Sequence, residues 1–325
     1  MVIINKSILR ENIMNKATIK VLIAMLLWGS LGVFVKNISL DSVEIAFFRG
    51  IIGSVFLGIV LFIRMQNNKK LEQENDKLNN DFEDEDKKPS KKSIIIFIIS
   101  GMAIGLNWVF LFNSYNYITV ANATIVYYLA PVIVIFVSPI FLKEKLTLKK
   151  VLAVMCAMIG LVLIVRTGQS STNINLTQGI INAFLAACLY ASVIILNKFI
   201  KNVDDYTKTF IQLFMAPMVL LPWVIFRNNI IFDSTKSIIL ILILGIAHTG
   251  IAYCLYFSAM KDLKAQSIAI LGYIDPVSSV VFSIFLLREP FSIYQLIGGV
   301  IILLSAVIAE RNPKPKTIEN GEINL

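Results

Sequence analysis

The chain has 325 residues, of which 57% are hydrophobic, and its mean hydropathy is +0.75. This composition lies well above that of a soluble globular domain and predicts an all-α membrane protein, in which each helix satisfies its own backbone groups within lipid. The net charge of +9 is compatible with a nucleic-acid-binding protein, but the distribution of that charge along the chain argues against this class.

Ten apolar stretches are each long enough to cross the ~30 Å hydrocarbon layer. In chain order they are 19–35, 43–63, 93–112, 118–142, 148–165, 177–197, 209–226, 237–258, 263–287 and 291–309. We predict that all ten are transmembrane helices. The three cysteines, Cys156, Cys188 and Cys254, fall within these stretches and are expected to be buried, reduced packing residues.

Most of the 30 Lys and Arg residues fall on one side of the membrane if the N-terminus is assigned to the cytoplasm. This is the positive-inside pattern, so the basic charge reflects topology and predicts no nucleic-acid partner. Both termini are then cytoplasmic, and the chain is expected to be a multi-pass protein of the cell (inner) membrane with the lipid bilayer around it. The first apolar stretch has no small-residue cleavage site after it and is expected to be an uncleaved anchor.

The hydrophilic segments divide the chain into two halves. The predicted units are a cytoplasmic tail (1–17), a first half (18–166), a linker (167–176), a second half (177–310) and a second cytoplasmic tail (311–325). Within the first half, loop 64–92 carries many charges of both signs and is predicted to be solvated and disordered. A binding site for a partner in that loop is the alternative.

The second half repeats the first. The segment from Tyr128 to Glu144 recurs, with its Tyr, Pro and Glu in the same spacing, between Tyr273 and Glu289. A unit of five helices is odd in number, so a second copy enters the membrane from the opposite side. Two inverted five-helix repeats are characteristic of secondary transporters.

These marks resemble the EamA-type pattern of the drug/metabolite transporter superfamily. The first half matches it at Trp28-Gly29, Lys36, Arg49, Pro131 and Glu144, and the second half at Lys198, Pro276 and Glu289. The second half departs from the pattern with Tyr190-Ala191 in place of Trp-Gly and with Gln212 as the only large polar residue where an arginine is expected. The resemblance implies a ten-helix export carrier with alternating access. It also implies a central cavity lined mainly by the first four helices of each half, with helices five and ten peripheral.

Asp275 lies near the middle of the ninth stretch, directly before Pro276. A charged carboxylate facing lipid at that depth costs several kcal/mol, so it is expected to face a cavity or a partner, or to be protonated. It is a candidate for binding a substrate amine or a coupling proton, and an interhelical hydrogen bond is the structural alternative. The equivalent residue of the first half is Ala130. Pro131 and Pro276 are predicted to be hinges.

Arg49 and His248 are the other charged or titratable candidates inside the stretches. Arg49 either neutralises a carboxylate or phosphate of the substrate, or pairs with Glu44 and extends to the outer interface. His248 is the only histidine; it either switches protonation near neutral pH or is a neutral group hydrogen-bonded between helices. One histidine without clustered acids or thiols predicts no metal site.

Polar and aromatic residues form a further candidate set. Its members are Trp28, Asn107, Trp108, Asn113, Tyr115, Asn122, Tyr127, Tyr128, Tyr253, Tyr256 and Tyr273. Trp28, Asn107, Trp108, Tyr128, Tyr253 and Tyr273 are expected to contact substrate, and an interfacial aromatic belt is the alternative for those near helix ends.

Two pairs of glycines and two glutamates are expected to have structural roles. Gly101 with Gly105, and Gly298 with Gly299, are expected to allow close helix contact. Glu144 and Glu289 are expected to form interfacial ion pairs with the neighbouring Lys143 and Arg288, and gating is the alternative.

No enzyme motif is present: the sequence contains no HExxH, no GxSxG and no phosphate-binding glycine loop. We therefore expect no enzyme and no cofactor. The predicted function is secondary transport of a small metabolite, an amino acid or related compound, outward across the plasma membrane. Import, flipping of a lipid-linked substrate, and a receptor or scaffold acting through loop 64–92 are the alternatives. Proton coupling and a homodimer stay open.

Overall fold

The computed structural model describes residues 2–75, 91–143, 147–167, 175–200, 203–227, 234–260, 262–263, 268 and 271–310. Every regular element within these ranges is a helix. Residues 76–90 of the predicted loop, Glu144, most of the linker and the C-terminal tail lie outside the described residues.

The first half contains α1 (Val2–Lys36), α2 (Ser42–Asn75), α3 (Lys91–Ser114), α4 (Val120–Tyr127), α5 (Ala130–Leu142) and α6 (Leu148–Thr167). The second half contains α7 (Leu176–Asn197), α8 (Asp205–Arg227), α9 (Thr235–Ile243), α10 (Ala252–Met260), α11 (Ile274–Leu286) and α12 (Ile293–Glu310). A π-helix, Leu244–Ile251, joins α9 to α10 without a break.

Seven helical segments of the described chain are long and apolar enough to cross a membrane. They are Met14–Lys36, Ser42–Asn67, Lys92–Ser114, Val120–Leu142, Leu176–Asn197, Asp205–Arg227 and Thr235–Met260. Three shorter apolar helices, Val151–Leu163, Ile274–Leu286 and Ile293–Ser305, fall in the other three predicted stretches. The prediction of an all-helical membrane protein is confirmed, whereas the count of ten spans stays a prediction.

The outer surface of the bundle is apolar. Phe226 is 86% exposed and Phe285 is 74% exposed, which suits a surface that faces acyl chains rather than water. Cys156 is also exposed, and Cys188 and Cys254 are half-buried, so the expectation that all three cysteines are buried was wrong. Membrane-spanning helices are also apolar on the faces that contact lipid. An apolar sequence therefore does not show that a residue in it is buried in the protein.

Two segments predicted to lie outside the membrane-spanning helices are helical. Helix α1 begins at Val2, inside the predicted tail, and α2 continues to Asn75, through the first part of the predicted loop. Neither extension contains glycine or proline, so nothing in the sequence stops a helix that is already nucleated in the membrane.

The fourth predicted stretch is broken in its middle. Helix α4 ends at Tyr127 and α5 begins at Ala130, with Pro131 in its first turn, where the missing backbone N–H removes no helical hydrogen bond. In the second half, Pro276 occupies the first turn of α11 in the same way. Both prolines therefore stand at the start of a helix, next to a backbone discontinuity.

The two copies also end alike. Lys143 follows α5 and Arg288 lies just after α11, and both have left-handed backbone, with φ of 55° and 54°. They are the two described residues other than glycine with positive φ. Such a residue commonly ends a helix, so the duplicated Leu-(Lys/Arg)-Glu sequence marks the same turn in both halves.

Helices α2 and α8 are equivalent members of the two predicted halves, and they pack side by side in opposite directions. Arg227, at the end of α8, pairs with Asp41 beside the start of α2. At the other end of the pair, the Arg64 guanidinium lies 4.6 Å from the centre of the Tyr206 ring. These contacts define two ends of the bundle: a Lys36 end, next to Asp41, and a Lys208 end, next to Tyr206.

Glycines let the halves approach closely. A Cβ added to Gly105 of α3 would overlap the carbonyl oxygen of Ala216 in α8, and one added to Gly101 would meet Met215. Gly160 of α6 lies against the backbone of Gly298 in α12. The predicted role of the glycines in close helix contact is confirmed.

Candidate functional site

A cavity of about 530 Å³ lies between the two halves. Its lining residues come from α1, α2, α3, α4, α5, α7, α8, α10 and α11, and none belongs to α6 or α12. Those two helices pack against each other. The structure thus agrees with the arrangement that the resemblance implied, with the fifth and tenth predicted helices away from the cavity. The volume is within the ~300–1,000 Å³ that is usual for small-molecule sites.

Most of the predicted site residues line this cavity. The lining includes Trp28, Arg49, Asn107, Trp108, Tyr128, Tyr253, Tyr273, Asp275 and the predicted hinge Pro131. His248 and Pro276 are not among the lining residues. The lining of the cavity therefore brings together residues that are up to about 250 positions apart in the sequence.

Asp275 is held by a tyrosine from the other half. The Tyr128 hydroxyl donates a hydrogen bond to Asp275 Oδ2 at 2.8 Å. The backbone carbonyl of Asp275 accepts from Ser278 Oγ at 2.9 Å. The carboxylate therefore faces the cavity, as the sequence predicts, and it also takes part in the interhelical hydrogen bond that was its structural alternative.

Arg49 is 4% exposed, and its guanidinium lies against aromatic rings. Its Nε donates to Thr249 Oγ1 at 2.9 Å, and its carbon Cζ lies 4.4 Å from the centre of the Trp108 ring. A second ring, that of Phe112, lies at 5.7 Å. Cation–π contact with Trp108 supports a desolvated guanidinium.

The interpretation that paired Arg49 with Glu44 is wrong. Glu44 Oε2 accepts from the backbone N–H of Asp41 at 3.1 Å, and Glu44 Oε1 lies 4.0 Å from Arg227. Among the described residues, Arg49 forms no ion pair with a carboxylate. Its terminal nitrogens are therefore free to meet an anionic group in the cavity.

His248 lies behind the cavity wall. Its side chain is 1% exposed, its Nε2 is 3.0 Å from Ser30 Oγ, and its ring packs edge-on against Phe34, with ring centres 4.6 Å apart. This placement corresponds to the alternative of a histidine hydrogen-bonded between helices, here α1 and the π-helix.

The π-helix supplies both Thr249 and the His248 backbone to the site. The His248 carbonyl accepts a hydrogen bond from Trp28 Nε1 at 2.9 Å, and the Thr249 hydroxyl donates to the Leu244 carbonyl at 3.0 Å. π-helical turns occur often at functional sites because they change which groups a helix presents. The sequence reasoning did not foresee this segment.

Aromatic rings form the wall near α10. The Trp28 ring centre lies 5.2 Å from that of Tyr253 and 5.4 Å from that of Tyr256. Across the cavity, Tyr127 stacks on Tyr190 with centres 5.4 Å apart. Tyr190 stands where the family pattern has Trp, and sequence reasoning noted it as a departure but did not include it among the site residues.

Asn107 and Gln212 use their side chains to hold helices together. Asn107 Nδ2 donates to the Ala186 carbonyl at 2.6 Å. Gln212, which replaces the second arginine of the pattern, donates to Ser100 Oγ at 2.8 Å and to Asn197 Oδ1 at 2.6 Å. Both residues line the cavity, so they shape it through interhelical bonds, and Gln212 was missed as a site residue because its role depends on α3 and α7.

The Lys36 end of the bundle is joined by a carboxylate network. Glu289 pairs with Lys36 and accepts a hydrogen bond from the backbone N–H of Val120 at 2.8 Å. Ser283 also donates to it. The expected ion pairing of Glu289 is confirmed, but its partner is Lys36 of α1 rather than the neighbouring Arg288, because the left-handed turn at Arg288 lets the Glu289 side chain face other helices.

Metal-ligating side chains do not cluster in the described ranges: no group of three or more His, Cys, Asp or Glu residues is found there.

Together these features define a multi-pass integral membrane protein in which two similar helical halves enclose a central cavity that contains Arg49, Asp275 and several aromatic rings, consistent with the predicted place in the inner membrane. The model of the EamA-like transporter family matches this chain twice, over residues 15–166 and 177–310. The chain belongs to the EamA-like transporter family.

Individual relatives agree with that assignment. The "Uncharacterized transporter YxxF" of Bacillus subtilis is 31% identical and covers 94% of this chain and 93% of its own length. The "Uncharacterized inner membrane transporter YicL" of Salmonella typhimurium is 24% identical over 90% of this chain and 94% of its own length. A solved crystal structure with 16% identity has the same fold, with a TM-score of 0.58 over 91% of this chain and 96% of that one. Relatives named as transporters are consistent with the expectation that the chain is not an enzyme.

Proposed function

We propose that this membrane transporter is a secondary carrier that exports a small zwitterionic metabolite, an amino acid or related compound, across the cell membrane by alternating access. The single observation that carries the proposal is the pair of opposite charges in one cavity. Arg49 offers a buried guanidinium that forms no ion pair among the described residues, and Asp275 offers a carboxylate that faces the same space.

Both charges are taken out of bulk water, and each gains most from a ligand group of the opposite sign. In this scheme Arg49 receives the carboxylate of the ligand, since its planar guanidinium can hold both oxygens. Asp275 receives the ammonium group, while Tyr128 keeps the carboxylate in position. The rings of Trp28 and Tyr253 contact the ligand side chain.

The proposed movement is a rocking of one half against the other. In this proposal the halves 18–166 and 177–310 are inverted repeats of five transmembrane helices each, and both termini are cytoplasmic. The antiparallel packing of α2 on α8 supports it, because these helices are equivalent members of the two halves. Pro131 and Pro276 act as hinges beside the backbone breaks that precede α5 and α11, and proton coupling through Asp275 is part of the same proposal.

Counterflow in proteoliposomes tests the function. Purified protein is reconstituted into vesicles loaded with unlabelled amino acids, nucleosides or sugars, and entry of the radiolabelled compound is followed. Saturable counterflow of an amino acid and none of a sugar or nucleoside is the expected result. Counterflow of a sugar or nucleoside alone contradicts the substrate class, and counterflow of no compound contradicts transport of these metabolites.

Labelling of single cysteines tests the topology. Cysteines placed in 64–92 and in 228–236 are treated with a membrane-impermeant maleimide from each face of the membrane. Inverted halves require that the two loops react from opposite faces. Reaction of both loops from the same face overturns the inverted arrangement.

A further inference from the structure

Polar contacts lie between the cavity and the Lys36 end of the bundle. Near this end the cavity lining includes Gly32 of α1, Thr124 of α4 and Ser279 of α11. Four residues farther along the same three helices lie Lys36, Val120 and Ser283. With a rise of 1.5 Å per residue, this layer stands about 6 Å beyond the cavity.

All members of that layer contact one carboxylate. Lys36 pairs with Glu289 Oε1, and Ser283 donates to Glu289 Oε2. The backbone N–H of Val120 donates to the same Oε2 at 2.8 Å. The Glu289 side chain is only 10% exposed. Because Val120 begins α4, the negative charge also lies at the positive end of that helix, where it is stabilised.

A second layer of polar contacts lies between the carboxylate and the cavity. Thr124 Oγ1 and Ser279 Oγ are 2.9 Å apart and buried, and Ser283 Oγ accepts from the backbone N–H of Ala121 at 3.4 Å. These bonds join α4 of the first half to α11 of the second. Access to the cavity from the Lys36 end requires that both layers separate.

The Lys208 end is different. Asn197, Asp205 and Lys208 all line the cavity there. The ion pair between Lys208 and Asp205, at 3.0 Å, lies within α8 and joins no two helices. The cavity therefore extends to the Lys208 end, which the charge pattern predicts to be cytoplasmic, and is closed at the other.

We propose that Glu289 closes a gate at the Lys36 end, and that the loss of its contacts with α1 and α4 opens the cavity to that face. This inference deepens the proposed function and rests on it, because a gate at one face has a role only in a carrier that exposes its site alternately. Opening separates the end of α11 from two helices of the other half, and one carboxylate holds both of them. Removing that carboxylate shifts the carrier towards the state open at the Lys36 end.

The test uses a cysteine that reports access to the cavity. In a background with Cys156, Cys188 and Cys254 replaced by serine, Gly272→Cys places a thiol in the lining, at a position where no atom lies within 4 Å of the new Cβ. An impermeant maleimide is then added to intact cells, which expose the face predicted to bear Lys36, or to inverted vesicles, which expose the other face. Without a gate variant, the cysteine is expected to react from the Lys208 face and slowly from the Lys36 face.

Two variants open the proposed gate by different routes. Glu289→Gln removes the charge but keeps the size of the side chain, and Lys36→Gln removes the partner at a site that is more exposed, with 28% of its side chain accessible. Each is expected to raise the rate of labelling from the Lys36 face about tenfold, which corresponds to ~1.4 kcal/mol. Lys36→Arg keeps the charge and is expected to leave the rate unchanged.

Asp41→Asn is the matched control, because it breaks another ion pair at the same end, that of Arg227, in which both side chains are well exposed. Exposed pairs contribute little, so no change is expected. If Glu289→Gln or Lys36→Gln leaves the labelling rate unchanged while counterflow persists, the gate is wrong and the transport function stands. If the cysteine reacts equally fast from both faces before any gate variant is made, the Lys36 end is not closed at rest and the proposed gate is overturned.

Discussion

Tyr128 donates a hydrogen bond to Asp275 across the boundary between the two halves, over 2.8 Å. In the duplicated segment, Tyr128 is the equivalent of Tyr273, and Asp275 is the equivalent of Ala130. Tyr128 of the first copy thus contacts Asp275 of the second copy, a residue that differs from its equivalent in the first copy. The symmetric contact would join Tyr273 to Ala130, which has no carboxylate to offer. The repeat places these two residues side by side, and the replacement of the alanine by Asp275 in the second copy supplies the charge.

Asp275→Asn is expected to lower the affinity for an amino-acid substrate by at least about tenfold, because the ammonium group loses a charged acceptor. The asparagine cannot gain or lose a proton, so the response of transport to an imposed pH gradient is expected to disappear as well. Both are measured in proteoliposomes. Tyr128→Phe keeps the charge and is expected to retain the pH response while weakening binding. Unchanged affinity and an unchanged pH response in Asp275→Asn contradict the proposed role of this residue.

Arg49→Gln is expected to abolish saturable counterflow of amino acids, since the substrate carboxylate loses its cation. Arg49→Lys keeps the charge without the planar guanidinium, and we expect a rise in KM with less effect on kcat. Arg64→Gln is the control, because Arg64 also packs on an aromatic ring, that of Tyr206, but does not line the cavity. A normal KM in Arg49→Gln would remove Arg49 from the binding site.

Trp28→Phe is expected to lower stability by about 1 kcal/mol, because it removes the indole donor to the His248 carbonyl and leaves a buried acceptor with one bond fewer. The melting temperature in detergent, with and without substrate, measures the change. Trp223→Phe is the matched substitution on the lipid-facing surface, where Trp223 is 59% exposed, and it is expected to change little. Equal shifts for both tryptophans would show that the bond to His248 contributes nothing.

Gly105→Ala is expected to destabilise the protein by about 1–3 kcal/mol, since the added methyl group meets the Ala216 carbonyl and forces α3 away from α8. Gly272→Ala has no atom within 4 Å of the new carbon. That residue is helical, so alanine there is expected to be neutral or to stabilise by about 0.5–1 kcal/mol. Thermal unfolding of the two variants compares a glycine in close contact with a neighbouring helix with a glycine that has open space around it.

Features that depend on composition and on short sequence motifs were predictable from the sequence. Apolar length predicts the membrane-embedded helices, and the repeated prolines, predicted to be hinges, mark the first turns of α5 and α11. The carboxylate of Asp275 is predicted to face a cavity or a partner, or to be protonated, because a charge that faces lipid costs several kcal/mol. These inferences need only the chain itself and the properties of the bilayer.

Features that depend on partners from the other half were not predictable. One of the two interpretations of Arg49 paired it with Glu44, five positions away, whereas it contacts Thr249, two hundred positions away. Glu289 was assigned to its neighbour Arg288, whereas it pairs with Lys36. In both cases local spacing offers a plausible partner, and only the packing of one half on the other selects a different one. The choice of His248 as a candidate site residue has the same limit, since only the packing of neighbouring helices determines whether a side chain lines a cavity or lies behind its wall.

The π-helix at Leu244–Ile251 has a consequence for the residues that follow it. A hydrogen bond from i to i+5 encloses one residue more than an α-helical bond, and one residue corresponds to about 100° of rotation around a helix with 3.6 residues per turn. Tyr253, Tyr256 and Phe257 line the cavity. The extra residue determines the direction in which these side chains point around the axis of α10. The π-helix thus sets the rotation of α10 about its own axis, and a single-residue deletion within it would turn these aromatic rings away from the cavity without changing any side chain of α10.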